Sequence, residues 1–214
     1  LQDVHWLHLS GISAALGPQA ARATLDAAQA ACRQGIKVSF DGNFRPTLWR
    51  DRAGEARAIL RELFACAHVA FADHRDITLV LGAEFPQADT PARIEAAADI
   101  AFAAFPRLRH LACTQRSVHD ADHHTLGAML LGRDGSRAVA PALEVTGIVD
   151  RIGSGDAFAA GVLHGLIEGD EPEATIRFGL AAGCLKHSIP GDFNPVGTAD
   201  VMALMGERKF DVRR

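Results

Sequence analysis

The segment Gly153-Ser154-Gly155-Asp156 has the residue types and spacing of a phosphate-binding turn. It leads directly into an apolar helical pattern, so the backbone N–H groups of the turn would converge where the first donors of the helix are free. Glycine permits positive φ and close approach of a phosphate, and the helix dipole adds partial positive charge. Asp156 could take the proton of a hydroxyl group that attacks phosphorus. The alternative is a flexible loop in which Asp156 is an ordinary acid of a first helical turn.

Two better-known phosphate motifs are excluded by the sequence. The P-loop pattern G-x-x-x-x-G-K-[ST] does not occur, because its nearest match, Gly127–Gly132, is followed by Arg-Asp. The Gly-x-Gly of the turn is followed by Phe158 at the position where a dinucleotide fingerprint needs its third glycine. The turn therefore belongs to neither of these two classes.

The composition indicates one α/β domain over residues 1–214. With 48% hydrophobic and 22% charged side chains, the chain can form a buried core and lacks the signature of disorder or of a coiled coil. Its 26 acidic and 22 basic residues include no Lys/Arg-rich block, so we expect no nucleic-acid partner. The longest apolar run, Ala157–Ile167, is too short to cross a bilayer and contains His164, so we expect no membrane partner.

The cysteines and the start of the chain bear on the cellular compartment. The cysteines lie far apart without the C-x-x-C spacing of a zinc or redox site, and we interpret them as reduced core thiols of a cytoplasmic protein: Cys32, Cys66, Cys113 and Cys184. The sequence begins at Leu1, with neither a methionine nor the pattern of a secretory signal. We therefore expect a fragment or a truncated protein that is not secreted.

Short apolar strands alternate with helical patterns along the first half of the chain. The predicted strands are Val4–Leu9, Lys37–Asp41, His68–Ala72 and Leu108–Cys113. The predicted helices are Gln19–Gln34, Ala53–Ala65, Thr90–Phe105 with Thr90 as N-cap, Asp156–Glu168, Pro172–Leu185 and Thr198–Met205. His119–Val145 is predicted to form a β-meander at the sheet edge. This order predicts an α/β fold with a mostly parallel sheet, helices on both faces, and ligand sites beyond the carboxyl ends of the strands.

Three ordered motifs resemble those of one enzyme family. Asp150–Gly161, D-R-I-G-S-G-D-A-F-A-A-G, is similar to the C-terminal signature of the PfkB/ribokinase sugar kinases. Asp41–Trp49 resembles the D-x-N-x-R-P-x-L-W segment of 2-keto-3-deoxygluconate kinases, and Leu185–Asn194 resembles their L-K-H-[ST]-I-P-G-D-F-N segment. The resemblance runs from Trp6 to Arg213. It implies a ribokinase-like fold, and it implies that the family's N-terminal strands and lid are absent from this sequence.

The resemblance also implies an activity and its catalytic group. The reaction would be phosphoryl transfer from ATP, with Mg²⁺, to a hydroxyl of a sugar acid, 2-keto-3-deoxygluconate being the first choice. Asp156 would be the catalytic base. The anion hole that precedes it would be formed by Gly153, Ser154 and Gly155.

Further site residues follow from the same resemblance. Asn43 and Arg45 would bind the sugar acid, with an Asx turn and a solvated arginine as the alternative. The nucleotide would be bound by Thr114 and Arg116 in a T-x-R segment after the fourth strand, by Gly153 and Gly155 of the turn, and by Lys186 and His187. For the last two, capping of helix carbonyls is the alternative.

A metal site is less directly indicated. Asp73 and Asp76 occupy the ends of the segment where the family usually has N-x-x-E, and they are the candidate metal ligands, because carboxylates can hold Mg²⁺ through water. Both end residues differ from the family pattern. The run His119–His124 contains metal-ligand residue types, but its irregular spacing in a hairpin favours a solvated turn.

Two other functions stay open at the level of the sequence. The first keeps the fold and changes the acceptor to fructose, ribose or a nucleoside. The second is a catalytically silent truncated relative that still forms subunit or ligand contacts. In every case the expected ligands are small molecules, and a homo-oligomer is left open.

Overall fold

The computed structural model describes residues 3–206, which form a six-stranded sheet with eight α-helices in the described part of the chain. The strands are β1 Trp6–Ser10, β2 Lys37–Asp41, β3 Val69–Phe71, β4 His110–Val118, β5 His123–Gly132 and β6 Arg137–Thr146. The helices are α1 Gly11–Ala15, α2 Pro18–Arg33, α3 Ala53–Cys66, α4 His74–Leu81, α5 Thr90–Ala104, α6 Ser154–Glu168, α7 Pro172–Lys186 and α8 Thr198–Gly206. A 3₁₀ turn, Arg50–Arg52, precedes α3.

The strand order in the sheet is the same as the order along the chain, β1-β2-β3-β4-β5-β6. The first four strands are parallel, with Ser39 of β2 opposite Val69 of β3 and Phe71 of β3 opposite Ala112 of β4. Parallel neighbours need crossover connections, and helices provide them here. β4, β5 and β6 follow each other through four-residue connections, which are long enough only for hairpins. The predicted meander is therefore present.

The chain divides into two compact units, which we describe separately. The first comprises the residues up to Ala112 together with Leu131–Gly135, and the second comprises Cys113–Leu130 and the residues from Ser136 onward. The prediction of a single domain over residues 1–214 stays a prediction.

Small residues set the packing inside each unit. In the first unit, Ala31 of α2 is buried in a cluster with Ile36 and Val38. In the second unit, α6 and α7 approach closely because Gly161 faces Gly179, where an added Cβ would lie 2.8 Å from the partner's Cα. This packing holds α6 tightly against α7.

Most element predictions agree with the structure, and four details were wrong. The sequence patterns did not predict α1 or α4, which are short helices of five and eight residues. The N-cap of α5 is Asp89, whose side chain accepts from Ala92 N at 2.8 Å, rather than Thr90. β4 extends to Val118 because its second half pairs in the hairpin with β5, so Thr114 and Arg116 lie within this strand instead of after it.

The remaining predictions about individual side chains have mixed outcomes. None of the four cysteines forms a disulfide in the described part of the chain, and only Cys113 and Cys184 are buried. Trp49, at the end of the segment Asp41–Trp49, is buried. No helix among residues 3–206 has the length and apolar character needed to span a membrane. The predicted end of the family resemblance at Arg213 lies outside the described residues.

Candidate active site

The turn before α6 has the geometry of an anion-binding site. Gly153 is the N-cap of the helix, with φ of +76°, and its carbonyl oxygen accepts from Ala157 N at 2.9 Å. The hydroxyl of Ser154 donates to Arg151 O at 2.9 Å, which closes the turn. Among the described residues no group accepts from the backbone N–H of Gly155 or of Asp156. These free donors, together with the helix dipole, favour an anion.

Asp156 is the acidic residue of the first turn of α6. Asp156 is exposed, and within residues 3–206 no hydrogen-bond donor or cation is bonded to its carboxylate. A carboxylate without a partner at an anion-binding turn can accept a proton from a bound hydroxyl group. The structure thus leaves the predicted base accessible.

A small cavity of about 40 Å³ opens beside the turn and brings several predicted nucleotide residues together. Its lining residues come from β4, β5, α6, α7 and the residue after α7: Thr114, Arg116, Leu126, Ser154, Gly155, Phe158, Leu180, Gly183 and His187. The volume accommodates a few water molecules or a phosphate-sized group. Lys186 does not line this cavity, and its predicted nucleotide contact stays a prediction.

His187 presents an unpaired ring nitrogen at this cavity. Its Nδ1 lies 2.8 Å from Gly183 O, and since a carbonyl can only accept, Nδ1 carries the proton. Nε2 is buried without a partner among the described residues. Burial lowers the pKa of His187, so the neutral ring is favoured and Nε2 is an acceptor.

Two further residues near the cavity were missed by the sequence interpretation. Burial and then the charge of Arg151 lower the pKa of Arg116, which means that two guanidinium groups lie near each other. No carboxylate of residues 3–206 forms an ion pair with either. His124 of β5 is fully buried, and neither ring nitrogen has a partner in the described part of the chain. Nothing in the sequence marks Arg151 or His124 as a neighbour of the predicted nucleotide residue Arg116.

A larger cavity of about 410 Å³ lies in the same unit. Polar and apolar atoms contribute about equally to its surface, and its lining residues come from β6, α7 and α8: Ala140, Pro141, Ala142, Leu143, Arg177, Leu180, Ala181, Leu204, Met205 and Gly206. Leu180 lines both cavities. Both cavities therefore border α7.

The predicted sugar-acid residues lie in the other unit, after β2. Asn43 has φ of +39°, a left-handed conformation that asparagine tolerates better than most residues, and its Nδ2 donates to Ser10 Oγ at 3.4 Å. Arg45 is exposed, and its Nη1 donates to Phe44 O at 3.2 Å. Most of its five donors are thus available to a ligand. Ser10 ends β1, and Asn43 lies just after the end of the neighbouring strand β2, at the edge where ligands of parallel sheets bind.

Asp73 and Asp76 form a capping box at the start of α4. Asp73 Oδ1 accepts from Arg75 N at 2.7 Å, and Asp76 Oδ2 accepts from Asp73 N at 2.9 Å. The Arg75 guanidinium holds Asp73 Oδ2 as well. Burial raises the pKa of Asp76 to about 6.

These contacts bear on the predicted metal role. Of the four carboxylate oxygens of Asp73 and Asp76, only Oδ1 of Asp76 has no partner among the described residues. Within residues 3–206 no group of three or more His, Cys, Asp or Glu side chains is placed to hold a metal ion. The pair does not fit direct coordination of Mg²⁺, and its metal role stays a prediction.

Comparison with known proteins identifies the class. Residues 1–198 match the family model of the pfkB family carbohydrate kinases. The chain belongs to this family, and the predicted ribokinase-like α/β fold is confirmed.

Particular relatives are similar along nearly the whole chain. The 2-dehydro-3-deoxygalactonokinase of Haloferax volcanii is 30% identical over 94% of this chain and 57% of its own length. The 2-dehydro-3-deoxygluconokinase of Bacillus subtilis is 26% identical over 92% of this chain and 55% of its own length. The crystal structure of 2-dehydro-3-deoxygluconokinase from Thermotoga maritima matches with a TM-score of 0.86 at 29% identity, covering 95% of this chain and 61% of that one. The chain thus spans little more than half the length of the curated relatives.

Proposed function

We propose that the protein transfers the terminal phosphoryl group of ATP to a hydroxyl of a sugar acid, with 2-keto-3-deoxygluconate as the first candidate and its 6-phosphate as the product. The observation that carries this proposal is the free carboxylate of Asp156, which lies in the same helical turn as the free N–H groups of Gly155 and of its own backbone. Proton acceptor and anion-binding donors are the two groups that such a transfer needs.

The two cavities of the second unit support a nucleotide as the donor. The small cavity has cationic and hydrogen-bonding groups, namely Arg116 and Thr114 with the start of α6, which suit phosphates. The larger cavity has apolar side chains, such as those of Leu143, Leu180 and Leu204, beside polar groups, and this combination suits a planar base with hydrogen-bonding edges. Leu180 lies at the border of both, so one extended ligand could occupy them together.

In this proposal the sugar hydroxyl attacks the terminal phosphorus atom, the bond from phosphorus to the bridging oxygen breaks, and ADP leaves. Asp156 takes the hydroxyl proton, and the free N–H groups at the start of α6 stabilise the charge on the phosphoryl oxygens. We expect Mg²⁺ to accompany the nucleotide, since this ion binds largely through substrate phosphates and retained waters. Asp76 offers it at most one free oxygen.

A sugar acid is favoured over a neutral sugar by Arg45. Its exposed guanidinium has donors to spare, and arginine matches the two oxygens of a carboxylate. The names of the relatives from Haloferax volcanii and Bacillus subtilis point to the same substrate class. Four cysteines that form no disulfide among the described residues favour a reducing, cytoplasmic compartment in this proposal.

A coupled ATP assay tests the proposal. It compares the given chain with a form extended upstream, across sugar acids and the neutral sugars fructose and ribose, with a nucleoside as a further acceptor. We expect turnover with 2-keto-3-deoxygluconate to exceed turnover with any neutral acceptor in at least one form. Preference for a neutral sugar would contradict the acceptor, and absence of transfer in both forms would contradict the kinase activity.

A catalytically silent relative is the second candidate. The observation in its favour is that Asp73 and Asp76 are used by a helix cap and an ion pair. This candidate predicts nucleotide binding without transfer in both forms. Equilibrium dialysis with ADP, run beside the coupled assay, separates it from the first proposal.

A further inference from the structure

Cys32 and Cys66 form a pair of neighbouring thiols in the first unit of the chain. Cys32 lies in the last turn of α2, and Cys66 is the last residue of α3. The thiol of Cys32 donates to Cys66 O at 3.7 Å, and the two side chains also hydrogen-bond to each other. Two cysteines that are far apart in sequence thus bring their sulfur atoms together where two helices end.

The surroundings of this pair differ from those of the other two cysteines. Cys32 and Cys66 are half-buried, whereas Cys113 and Cys184 are buried. A small molecule in solution can therefore reach the pair, while packing shields the other two thiols. Reaction with a dissolved oxidant should be confined to the pair.

The groups around Cys66 set the order in which the two thiols react. Burial, then a hydrogen bond with the Cys32 side chain and the charge of Cys32, raise the pKa of the Cys66 thiol to about 12, and the charge of Arg107 opposes this rise. A thiol with a raised pKa supplies little thiolate for attack. The contributions of Cys32 end once its sulfur is bound in a disulfide, whereas Arg107 stays. Cys32 should thus react first, and its reaction should activate Cys66.

We propose that Cys32 and Cys66 form a reversible disulfide, with a small disulfide such as oxidised glutathione as the oxidant. The Cys32 thiolate attacks one sulfur of the oxidant, the S–S bond of the oxidant breaks, and the leaving glutathione thiolate takes up a proton. The Cys66 thiolate then attacks the Cys32 sulfur of the mixed disulfide, and the second glutathione leaves and takes up a proton. The two protein thiols lose two electrons and two protons, and the oxidant gains them.

The bridge would enclose the segment that is predicted to bind the sugar acid. The covalent ring would run over residues 32–66, which include β2 and the segment Asp41–Trp49. Cys32 precedes β2 and Cys66 precedes β3, so the bridge would lie at the amino ends of two parallel strands, away from Asn43. A cross-link removes conformations from the unfolded chain, so the oxidised protein should be the more stable form. The inference does not depend on the proposed kinase activity.

Peptide mapping of the folded, unmodified protein tests the bridge. The protein is incubated with oxidised glutathione, its remaining thiols are alkylated, and it is digested with trypsin. Cleavage after arginine places Cys32 in peptide 23–33 and Cys66 in peptide 62–75. We expect these two peptides to be joined, lighter by two hydrogen atoms than their sum, while Cys113 and Cys184 stay unmodified. Dithiothreitol should restore the separate peptides.

Single substitutions test the order of the two steps. Cys66→Ser leaves Cys32 without its partner, so a mixed disulfide with glutathione should accumulate at Cys32. Cys32→Ser should accumulate much less at Cys66. The opposite pattern would contradict the first attack by Cys32.

Thermal unfolding measures the effect of the bridge on stability. The oxidised protein should have a Tm about 5–10 °C above that of the reduced protein, and dithiothreitol should abolish the difference. Cys32→Ser and Cys66→Ser should show no such increase. Cys184→Ala is the matched control, because it removes a buried thiol outside the pair and should keep the full difference.

Four results would overturn the inference. They are an unmodified protein that stays fully reduced, glutathione bound at Cys32 or Cys66 without a cross-link, a disulfide that joins two chains on non-reducing electrophoresis, and modification of Cys113 or Cys184 as fast as that of the pair. If a substituted protein does not fold, the peptide map of the unmodified protein decides. Absence of sugar phosphorylation would contradict the proposed function and leave this test unchanged.

Discussion

Gly153 lies directly against the backbone carbonyl oxygen of Asp192, so that a Cβ atom at residue 153 would come within 2.6 Å of it. The same residue has φ of +76°. We expect Gly153→Ala to lower the free energy of unfolding by about 1–3 kcal/mol, because both the contact and the backbone conformation are strained. Urea denaturation measures this change.

Gly155→Ala is the matched control two residues further on. A Cβ atom at residue 155 meets no heavy atom within 4 Å, and its φ is not positive. The free energy of unfolding should stay the same or rise slightly. Equal destabilisation by the two substitutions would show that the close approach of Asp192 does not set the shape of the turn.

The capping box at α4 gives a second prediction. Asp73→Ala removes the side chain that accepts from Arg75 N and should cost about 0.5–2 kcal/mol in the free energy of unfolding. Asp73→Asn keeps an acceptor and should retain most of the stability, since the ion pair to the exposed Arg75 contributes little. Thermal and urea unfolding compare the two variants. Equal losses of unfolding free energy in Asp73→Ala and Asp73→Asn would mean that the charge of Asp73, and not its capping hydrogen bond, stabilises the fold.

The buried His124 should make the free energy of unfolding depend on pH. Burial, and then the charges of Arg116 and Arg151, lower its pKa below the ordinary value of 6.5. The unfolded chain then binds a proton where the folded chain does not, so the free energy of unfolding falls as the pH decreases below about 6.5. His124→Gln should reduce this slope by up to about one proton.

Urea denaturation of both proteins at a series of pH values checks this. Above neutral pH the difference between His124→Gln and the unmodified protein should be constant, because the imidazole is neutral in both states there. An unchanged slope at acid pH would contradict the assignment of a buried, neutral ring.

Residues that start or end helices, together with regular apolar spacing, were enough to predict the main helices and strands from the sequence. Helix α2 is bounded by Pro18 and Gly35, and the apolar spacing of α3 is regular, so both could be recognised. α4 could not, because it has only eight residues and its capping signal, Asp73 and Asp76, also suits a metal site. Local sequence does not distinguish a cap from a ligand.

The part of the candidate site that lies within one continuous segment could be predicted from the sequence. The part that depends on contacts between distant segments could not. Asp156 and its glycines lie within one continuous motif. The surroundings of Lys186 depend on the fold of the loop after α7, and those of His124 depend on hairpin pairing and on Arg151. Sequence spacing contains no information on such contacts.

Arg45→Leu should raise the KM for the sugar acid far more than the KM for ATP. The lost interaction is a charge-assisted hydrogen bond to substrate oxygens, worth about 1.5–3 kcal/mol, or roughly 10- to 100-fold in KM. Arg50→Leu is the control, since Arg50 is an exposed arginine in the following 3₁₀ turn. Steady-state kinetics with both substrates varied measure the two KM values. An equal rise in the KM for the sugar acid and the KM for ATP would indicate that the loop has collapsed and would contradict a specific contact of Arg45 with the sugar acid.

Asp156→Asn should abolish most phosphoryl transfer and leave nucleotide binding nearly intact. The amide keeps the size of the carboxylate and the turn of α6, but it cannot take the proton of the attacking hydroxyl. A general base typically contributes about 10²–10⁴-fold, so kcat should fall by that factor while the Kd for ADP changes little. Stopped assays with the sugar acid and dialysis with ADP measure the two quantities separately. Asp170→Asn, at an exposed residue just after α6, should change neither. Nearly full turnover by Asp156→Asn would remove Asp156 as the base, and a parallel loss of ADP binding would instead assign its charge to the shape of the anion-binding turn.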